Sequence, residues 1–259
     1  MKKIIFVIIL FVPDLFLGSC ILSSSGKKTA GTKPDSTFVT QGNNIAVLEL
    51  FTSQGCSSCP SADRLLGTYA SREHIIPLSF HVDYWDRQGW KDPYSSHDYS
   101  RRQYSYDAAL KAEVYTPQLI INGQSEMVGS DASKIASTIK SALAQPPVAT
   151  LTMNKVTESP GRLNIDYTVS GKIDSTKLNI AVVDRKTTTT VNAGENGGAT
   201  LTGYNVVRDF LTVNKVLDGD NTTSIPIQAE NYDPGMKVIL YLQEKGNHKI
   251  IAASQAGLP

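Results

Sequence analysis

Cysteine is scarce in this chain of 259 residues, which contains three. Cys20 stands near the start, and Cys56 and Cys59 lie three positions apart in "FTSQGCSSCP". No second Cys-x-x-Cys motif accompanies this pair, and no histidines follow it at zinc-finger spacing. The pair can exchange electrons with another thiol, hold a metal, or staple a loop.

An excess of charge of one sign is also lacking, because 25 Lys and Arg residues face 24 Asp and Glu residues. This balance gives no electrostatic case for nucleic acid or for an acidic partner. The Gly-x-Ser-x-Gly elbow, the Gly-x-x-x-x-Gly-Lys phosphate loop and the His-Glu-x-x-His motif are missing too. Several common enzyme classes therefore find no support, and we expect no flavin, nicotinamide or other cofactor.

Long hydrophobic runs are absent as well. The apolar stretch 4–12 follows a basic start and is interrupted by Pro13 and Asp14. It is shorter than the about 20 residues that a membrane helix needs, and its layout is that of a secretory signal. The sequence therefore predicts export rather than a membrane-spanning helix.

The export signal ends in "LGSC" at 17–20, which resembles a bacterial lipobox. In that interpretation 1–19 is a lipoprotein signal peptide, and Cys20 becomes the lipidated first residue of the mature protein. The alternative is a plain signal peptide, cut nearby, with Cys20 discarded. Residues 20–44 are rich in Ser, Gly, Lys and Thr and predict a flexible tether. We expect a protein anchored by lipid in the bacterial cell envelope, on its periplasmic or surface face.

After the tether, residues 45–147 alternate between strand and helix patterns. The expected elements are a buried strand at 45–51, a helix beginning around Pro60, a strand at 75–82, a helix at 95–111, a hairpin at 119–128 with an Asn-Gly turn, and a helix capped by Ser130. This order predicts an α/β domain with the cysteine pair between its first strand and its first helix.

Residues 148–259 show a different pattern, which begins after Gln145-Pro146-Pro147. Short apolar stretches at 163–169, 178–183, 238–242 and 249–253 are separated by Gly, Asp, Asn and Pro. This spacing is typical of an all-β domain, and we expect an immunoglobulin-like sandwich.

The position of the cysteine pair favours redox chemistry. At the start of a helix, free backbone N–H groups and the helix dipole stabilise a thiolate, so Cys56 is expected to attack. Cys59, one turn further along, is placed to resolve a mixed disulfide. A permanent staple explains the spacing less well, because a bridge that closes so small a loop removes little entropy from the unfolded chain.

Three stretches carry a resemblance to a known family: "LELFTSQGCSSCPSAD", "FHVDYWDRQGWKDPYSS" and "VYTPQLIINGQ". Residues 45–131 resemble thioredoxin-like proteins, and in particular a bacterial secreted thioredoxin-like family of unknown function, domain of unknown function twelve-twenty-three. The later "GENGGATLTGYNVVRDF" resembles the C-terminal segment of that family. The resemblance implies a fold and a site but no substrate. It also implies a cis bond between Thr116 and Pro117, facing the dithiol and leaving a backbone edge open to a substrate chain.

The second of these stretches places polar and aromatic side chains at the end of a strand, where open α/β sheets place their sites. His81 or Asp83 is a candidate proton shuttle for Cys59, and Trp85 and Trp90 are candidates for a substrate wall. Asp86 lies among them. The alternative for the two tryptophans, which we favour, is a structured loop that covers an edge of the core. His81 could equally be a hydrogen-bonded interior residue.

The leading prediction is thiol-disulfide exchange with protein thiols or disulfides of the envelope. Cys56 is the attacking sulfur, Cys59 resolves, and Thr116 and Pro117 shape the substrate edge. One alternative is binding or delivery of copper through the same cysteines with His81 and Asp83. Another is a non-enzymatic surface module in which the sandwich recognises a partner. One interpretation of "GENGGATLTGYNVVRD" is a polar loop with Glu195, Asn196 and Arg208 in contact. The alternative, which we favour, is a structural loop and strand of the sandwich.

Overall fold

The computed structural model describes residues 44–227, 232–233 and 235–258, all within one compact unit. The signal peptide expected at 1–19, the lipidation site at Cys20 and nearly all of the tether expected at 20–44 lie outside the described residues. None of the helices in the described residues is long and apolar enough to cross a membrane.

The described chain is a mixed α/β structure with two sheets. Its elements are β1 (Ala46–Thr52), α1 (Cys59–Gly67), β2 (Ile75–His81), α2 (His97–Leu110), β3 (Gln118–Ile121), β4 (Ser125–Val128), α3 (Ala132–Leu143), β5 (Ala149–Ser159), β6 (Arg162–Gly171), β7 (Thr176–Thr190), β8 (Thr200–Val213), β9 (Gly219–Pro226), β10 (Lys237–Glu244) and β11 (Ile250–Gly257). The larger sheet has eight strands in the order β11-β10-β7-β8-β2-β1-β3-β4, and the smaller has three in the order β5-β6-β9.

The first half of the chain follows the predicted alternation. Every residue of β1 is buried, as expected of a strand with apolar neighbours on both faces. It pairs in parallel with β2 and antiparallel with β3, and β3 turns into β4 at Asn122-Gly123. α1 and α3 pack on one face of these strands, with Leu66 and Ile135 in the shared core. The cap predicted for α3 is wrong by one residue, because the Asp131 carboxylate and not Ser130 accepts the N–H of Lys134.

The second half of the chain is all-β, and it continues the sheet of the first half. β8 lies next to β2 in parallel, with Ser79 opposite Val206. Beside this pairing Asn205, at φ 46°, donates from Nδ2 to the carbonyl of Pro77 at 2.8 Å. The change of pattern after Pro147 does coincide with the change from α/β to all-β structure. One sheet nevertheless crosses it, so separate domains at 45–147 and 148–259 stay a prediction.

The smaller sheet packs over β7, β10 and β11 in two layers. Their shared core is formed by apolar side chains that alternate along each strand, including Leu151, Ile165, Ile180, Leu240 and Ala252. The other face of β5 and β6 carries half-buried and exposed residues. The other face of β7, β10 and β11 is buried in a second core, which includes Ala181, Ile239 and Ala253. The layers agree with the expected sandwich, while its immunoglobulin-like topology stays a prediction.

A buried ion pair of the first half of the chain is completed by residues of the second half. The Arg102 guanidinium on α2 lies 2.7 Å from the Glu49 carboxylate on β1, and the Glu49 side chain is wholly buried. Tyr106 and Tyr241 donate their hydroxyl hydrogens to the same carboxylate. The rings of Phe80, Tyr106, Phe210 and Tyr241 surround the guanidinium. The charge of Glu49 on β1 is thus satisfied from α2 and β10 at once.

Candidate functional site

The cysteine pair lies where β1 leads into α1. The strand ends at Thr52, the chain turns, and the helix begins at Cys59 with proline next in its first turn. Cys56 and Cys59 are joined as a disulfide, with their Cα atoms 5.4 Å apart. Cys56 is 1% exposed and Cys59 is fully buried, whereas Ser57 and Ser58 between them are exposed. The strand, cysteine pair and helix therefore follow in the predicted order, and both sulfurs are covered.

The segment before β3 faces Cys56. The bond between Thr116 and Pro117 is cis, as predicted. The carbonyl oxygen of Thr116 lies 3.9 Å from Cys56 Sγ. The side chain of Thr116 accepts the indole N–H of Trp85 at 2.8 Å. Thr116 is thus held next to the sulfur that is expected to attack.

Trp85 and Trp90 lie in the loop between β2 and α2, which we call the strand-end loop, and both contact residues next to the disulfide. Trp85 contacts Thr116 through its indole nitrogen and packs against Gly55, where an added Cβ would lie 3.3 Å from Trp85 Cβ. Trp90 donates its indole N–H to Gln54 Oε1 at 3.1 Å. The two rings are therefore part of the walls of the site, and each also anchors the loop that carries it.

Asp83 and Asp86 organise the same loop. The Asp83 carboxylate accepts Ser100 Oγ at 2.5 Å and lies 3.1 Å from His97 Nδ1, at the start of α2. Asp86 accepts the hydroxyl of Ser95 and the N–H of Asp92 at 2.7 and 3.2 Å. The Asp83 and Asp86 carboxylates are thus hydrogen-bonded to the loop and to α2. The role of Asp83 as a proton shuttle for Cys59 stays a prediction.

Three titratable side chains lie near the cysteine loop, of which His81 and Asp92 are buried and Asp63 is half-buried. His81 Nδ1 is 2.7 Å from Asp92 Oδ2, and the same oxygen accepts the N–H of Gln54 at 2.7 Å. Asp63 lies one turn after Cys59 on α1, a spacing that puts two side chains on the same face of a helix. Its Oδ2 accepts the hydroxyl of Thr52 at 3.1 Å. Asp63 Oδ1 and His81 Nε2 are buried without a hydrogen-bond partner.

The charges of this group are coupled. Burial raises the pKa of Asp63 to about 6, against the opposing charge of His81 and the hydrogen bond from Thr52. Burial alone would lower the pKa of His81, but the charge and hydrogen bond of Asp92 outweigh it and raise the pKa. Burial alone would raise the pKa of Asp92, but its interactions with His81 hold it below the usual value. Asp92 thus favours the protonated form of the His81 imidazole, whose charge also acts on Asp63, and Asp63 titrates near pH 6.

The loop between β7 and β8 reaches the same place from the second half of the chain. We call residues 191–199 the hairpin tip. Asn196 Nδ2 donates to the carbonyl oxygens of Gln54 and Cys56 at 2.8 and 2.9 Å. Glu195 Oε2 accepts the N–H of Ser57 at 3.0 Å. Arg208, in contrast, pairs with Asp184 at 2.7 Å. The loop therefore covers the cysteine pair, a contact that the sequence analysis did not assign to it.

Asp63 was not among the candidates drawn from the sequence, and Asp92 stood there only as part of the loop. The spacing of four between Cys59 and Asp63 was the available signal for Asp63. For Glu195 and Asn196 the signal was the resemblance of "GENGG" to a family segment, which carries no information on contacts. In the described part of the chain, no group of three or more His, Cys, Asp and Glu side chains is arranged to hold a metal ion.

Comparison with solved structures finds a related protein in Agrobacterium tumefaciens. The sequence of its protein AGR_C_4864, whose crystal structure is known, is 28% identical to this chain. The two structures match with a TM-score of 0.64 over 83% of this chain and 95% of the other. HBP35 of Porphyromonas gingivalis matches at 16% identity, with a TM-score of 0.60 and coverage of 83% and 76%. The second likeness concerns the fold alone.

No match was found among curated proteins. A family model described as "Protein of unknown function (DUF1223)" matches residues 47–243. This span holds the cysteine pair, the Thr116–Pro117 segment and the hairpin tip, and it covers most of the chain. On this match, the chain belongs to the DUF1223 family of proteins of unknown function.

Proposed function

We propose that this protein exchanges thiols and disulfides with other proteins of the bacterial cell envelope. The observation that carries the proposal is the cysteine pair at the start of α1, with the Thr116 carbonyl 3.9 Å from Cys56 Sγ. A backbone carbonyl next to the attacking sulfur offers an extended substrate chain a hydrogen-bond acceptor. The finer fold assignment, a thioredoxin-like region at 45–147 followed by a β-sandwich, belongs to this proposal.

The exchange starts from the reduced pair. The Cys56 thiolate attacks one sulfur of a substrate disulfide, which forms a Cys56–substrate disulfide and releases the other substrate sulfur as a thiolate. Cys59 then loses its proton and attacks Cys56 Sγ. The Cys56–Cys59 disulfide forms, and the substrate leaves with both of its sulfurs reduced. Run in reverse, the same steps oxidise a substrate dithiol.

Asp63 is placed to take the proton of Cys59. It lies on the same face of α1 as that cysteine, its side chain is half-buried, and its inaccessible Oδ1 has no hydrogen-bond partner. Its pKa of about 6 leaves it mostly ionised at neutral pH and able to accept a proton. His81, held by Asp92, supplies a positive charge beside Asp63 that keeps the base ionised.

The proposed location is the envelope, with a lipid anchor at Cys20. Its support is the layout of the first 20 residues, which is that of an export signal ending at Cys20. A Cys20→Ser variant should move from the membrane fraction to the soluble fraction of cells. Retention of that variant in membranes would contradict the lipid anchor.

Trapping of mixed disulfides tests the exchange. A Cys59→Ser variant retains the attacking sulfur but cannot resolve, so it should accumulate covalent complexes with envelope proteins that dissociate in dithiothreitol. Cys56→Ser, its matched control, should form few or none. Equal trapping by the two variants, or no trapping by either, would contradict the proposal. A stable partner bound equally by both variants would favour the surface module.

A further inference from the structure

The hairpin tip is an ordered turn in close contact with the cysteine loop. Its base is closed by the N–H of Val191 on the carbonyl of Ala199 at 2.9 Å, and Gly198 donates to Val191 at 2.8 Å. Gly194, at φ +75°, sits so close to the strand-end loop that an added Cβ would lie 3.2 Å from Trp90 Cβ. The tip thus rests on two segments that surround the disulfide.

We propose that Asn196 and Glu195 are positioning residues of the cysteine pair. Asn196 fixes the loop around Cys56, and Glu195 makes the reduction potential of the Cys56/Cys59 pair more negative. The inference rests on the proposed function, and it assigns control of the redox site to a part of the chain about 140 residues away in sequence. The two residues act through different contacts, so each is tested separately.

Asn196 acts as a clamp. Its Nδ2 bridges the carbonyl oxygens of Gln54 and Cys56, so a single side chain ties down both ends of the turn at Gly55. Cys56 is 1% exposed beneath this contact. A substrate disulfide must reach Cys56 Sγ in line with the bond that it will break. Release or rearrangement of the Asn196 clamp is therefore part of substrate entry.

Glu195 acts through charge. Its carboxylate accepts the N–H of Ser57, the residue after Cys56. Hydrogen bonds with the side chain and the backbone of Ser57 lower the pKa of Glu195 and favour its ionised form. When Cys56 becomes a thiolate, the negative charge of Glu195 is bound at Ser57, the next residue in the chain. Like charges disfavour each other, so Glu195 destabilises the reduced, thiolate-bearing state relative to the disulfide. Less stable reduced forms belong to more reducing couples.

The test of Glu195 is the Glu195→Gln variant, because glutamine can still accept the Ser57 N–H but carries no charge. We expect the equilibrium constant for reduction of the disulfide by glutathione to rise about threefold, or about 14 mV for a two-electron couple. The absorbance of the thiolate at 240 nm should rise in the reduced variant at fixed pH. Both effects should shrink in 1 M salt, which screens an exposed charge.

The matched control for this variant is Glu73→Gln. Glu73 is exposed and lies beyond the other end of α1, so its neutralisation should leave the equilibrium and the absorbance unchanged. The charge role of Glu195 is overturned if Glu195→Gln matches the wild type, or if Glu73→Gln shifts both quantities equally.

The test of Asn196 is the Asn196→Ala variant. Loss of two hydrogen bonds should let the turn at Gly55 open more often, so alkylation of the reduced pair by iodoacetamide should accelerate by about tenfold. The control is Asn154→Ala, which removes a hydrogen bond between the exposed Asn154 side chain on β5 and Thr168 Oγ1 on β6. Both strands belong to the smaller sheet, so this change should not alter the alkylation rate. An unchanged rate in Asn196→Ala overturns the clamp.

Alkylation and thiolate absorbance need only the chemically reduced protein. They therefore decide the roles of Asn196 and Glu195 even if the wild-type pair shows no reversible exchange with glutathione. That outcome would count against the proposed function and not against the hairpin tip.

Discussion

At the residue scale, the chemistry centres on Asp63 and its neighbours behind the disulfide. Desolvation and the nearby charge of Asp92 disfavour the ionised form of Asp63 and so raise its pKa. The nearby imidazole of His81 limits that rise, and Asp92 holds the imidazole in place. In the proposed mechanism, His81 and Asp92 thus maintain Asp63 as a base for Cys59, which is fully buried.

Replacement of Asp63 by Asn should slow the exchange. Asparagine keeps the size of the side chain but cannot accept the proton of Cys59, so turnover on a model protein disulfide should fall by on the order of 10²-fold at pH 7. The wild-type rate should rise with pH around a midpoint near 6, where Asp63 ionises, and this rise should vanish in Asp63→Asn. An identical pH profile in the two proteins would remove Asp63 from the mechanism.

The same substitution should make the protein more stable at neutral pH. The folded-state pKa of Asp63 lies above its ordinary value of 3.8, at about 6. Folding therefore favours the protonated form, and stability is lost as pH rises from about 4 to 6. Asp63→Asn should escape that loss and gain up to about 3 kcal/mol at pH 7.5, with little gain at pH 3.5.

Denaturant melts of both proteins at the two pH values measure the gain. Equal stability of wild type and Asp63→Asn at pH 7.5 would mean that the carboxyl group is not as strongly desolvated as its burial implies.

The residues of the site were predictable where the chemistry is local in sequence. The cysteine pair and the helix that follows it form a short motif that the sequence located correctly, and the family resemblance implied the cis bond before Pro117. The contacts of Glu195 and Asn196 were not predictable, because they depend on a hairpin about 140 residues away and on the register in which it crosses the sheet. No local pattern encodes that distance.

At the element scale, the β7–β8 hairpin is the feature that the sequence describes least well. The apolar stretch 178–183 predicted the centre of β7, but the strand runs on to Thr190 and β8 starts at Thr200. The outer part of β7 carries a run of threonines at 187–190 without apolar alternation. Alternation appears only where one face meets an apolar core, and this arm of the hairpin gives no such signal.

The hairpin is fixed to α1 at Gly67. An added Cβ at this position would overlap the ring of Tyr204 on β8. Gly67→Ala should therefore destabilise the protein by about 1 to 3 kcal/mol, as overpacking does in other interiors, even though alanine favours a helix. Gly246→Ala is the control, since an added Cβ there meets no atom within 4 Å.

Thermal or denaturant melts measure both changes at Gly67 and Gly246. Combination of Gly67→Ala with Tyr204→Ala should cost less than the sum of the single changes, because the clash is absent in the pair. Strict additivity would show that the hairpin does not rest on this end of α1.

At the scale of the whole molecule, the Glu49–Arg102 pair lies where the two halves of the chain meet, because Tyr241 of the second half donates to Glu49. A buried ion pair adds little net stability when both partners are present, but removal of one leaves the other charge without compensation. Arg102→Met should therefore destabilise the protein by about 3 to 5 kcal/mol. Glu49→Gln combined with Arg102→Met should recover much of that loss.

The control for this prediction lies next to it on α2. Arg101 pairs with Asp98 at 2.5 Å, but both side chains are about two-thirds exposed. Arg101→Met should change stability by about 0.5 kcal/mol or less. A cost for Arg102→Met no larger than that of Arg101→Met would show that Glu49 does not depend on it.

The architecture of the whole chain was predictable only in part. The change from α/β to all-β structure after Pro147 can be read from composition and periodicity. The continuous eight-stranded sheet cannot, because the pairing of β2 with β8 rests on Ser79, Val206 and the left-handed backbone at Asn205. That pairing brings the hairpin tip to the disulfide and gives the second half of the chain a part in the site.

The reduction potential of the Cys56/Cys59 pair is the most direct test of the central claim. It is measured on the protein without its first 20 residues, by equilibration in glutathione or dithiothreitol buffers with thiol trapping. Exchange chemistry predicts a reversible two-electron couple between about −270 and −120 mV, the span of known thiol oxidoreductases. A pair that stays oxidised below about −300 mV would be a structural disulfide, and the claim would be wrong.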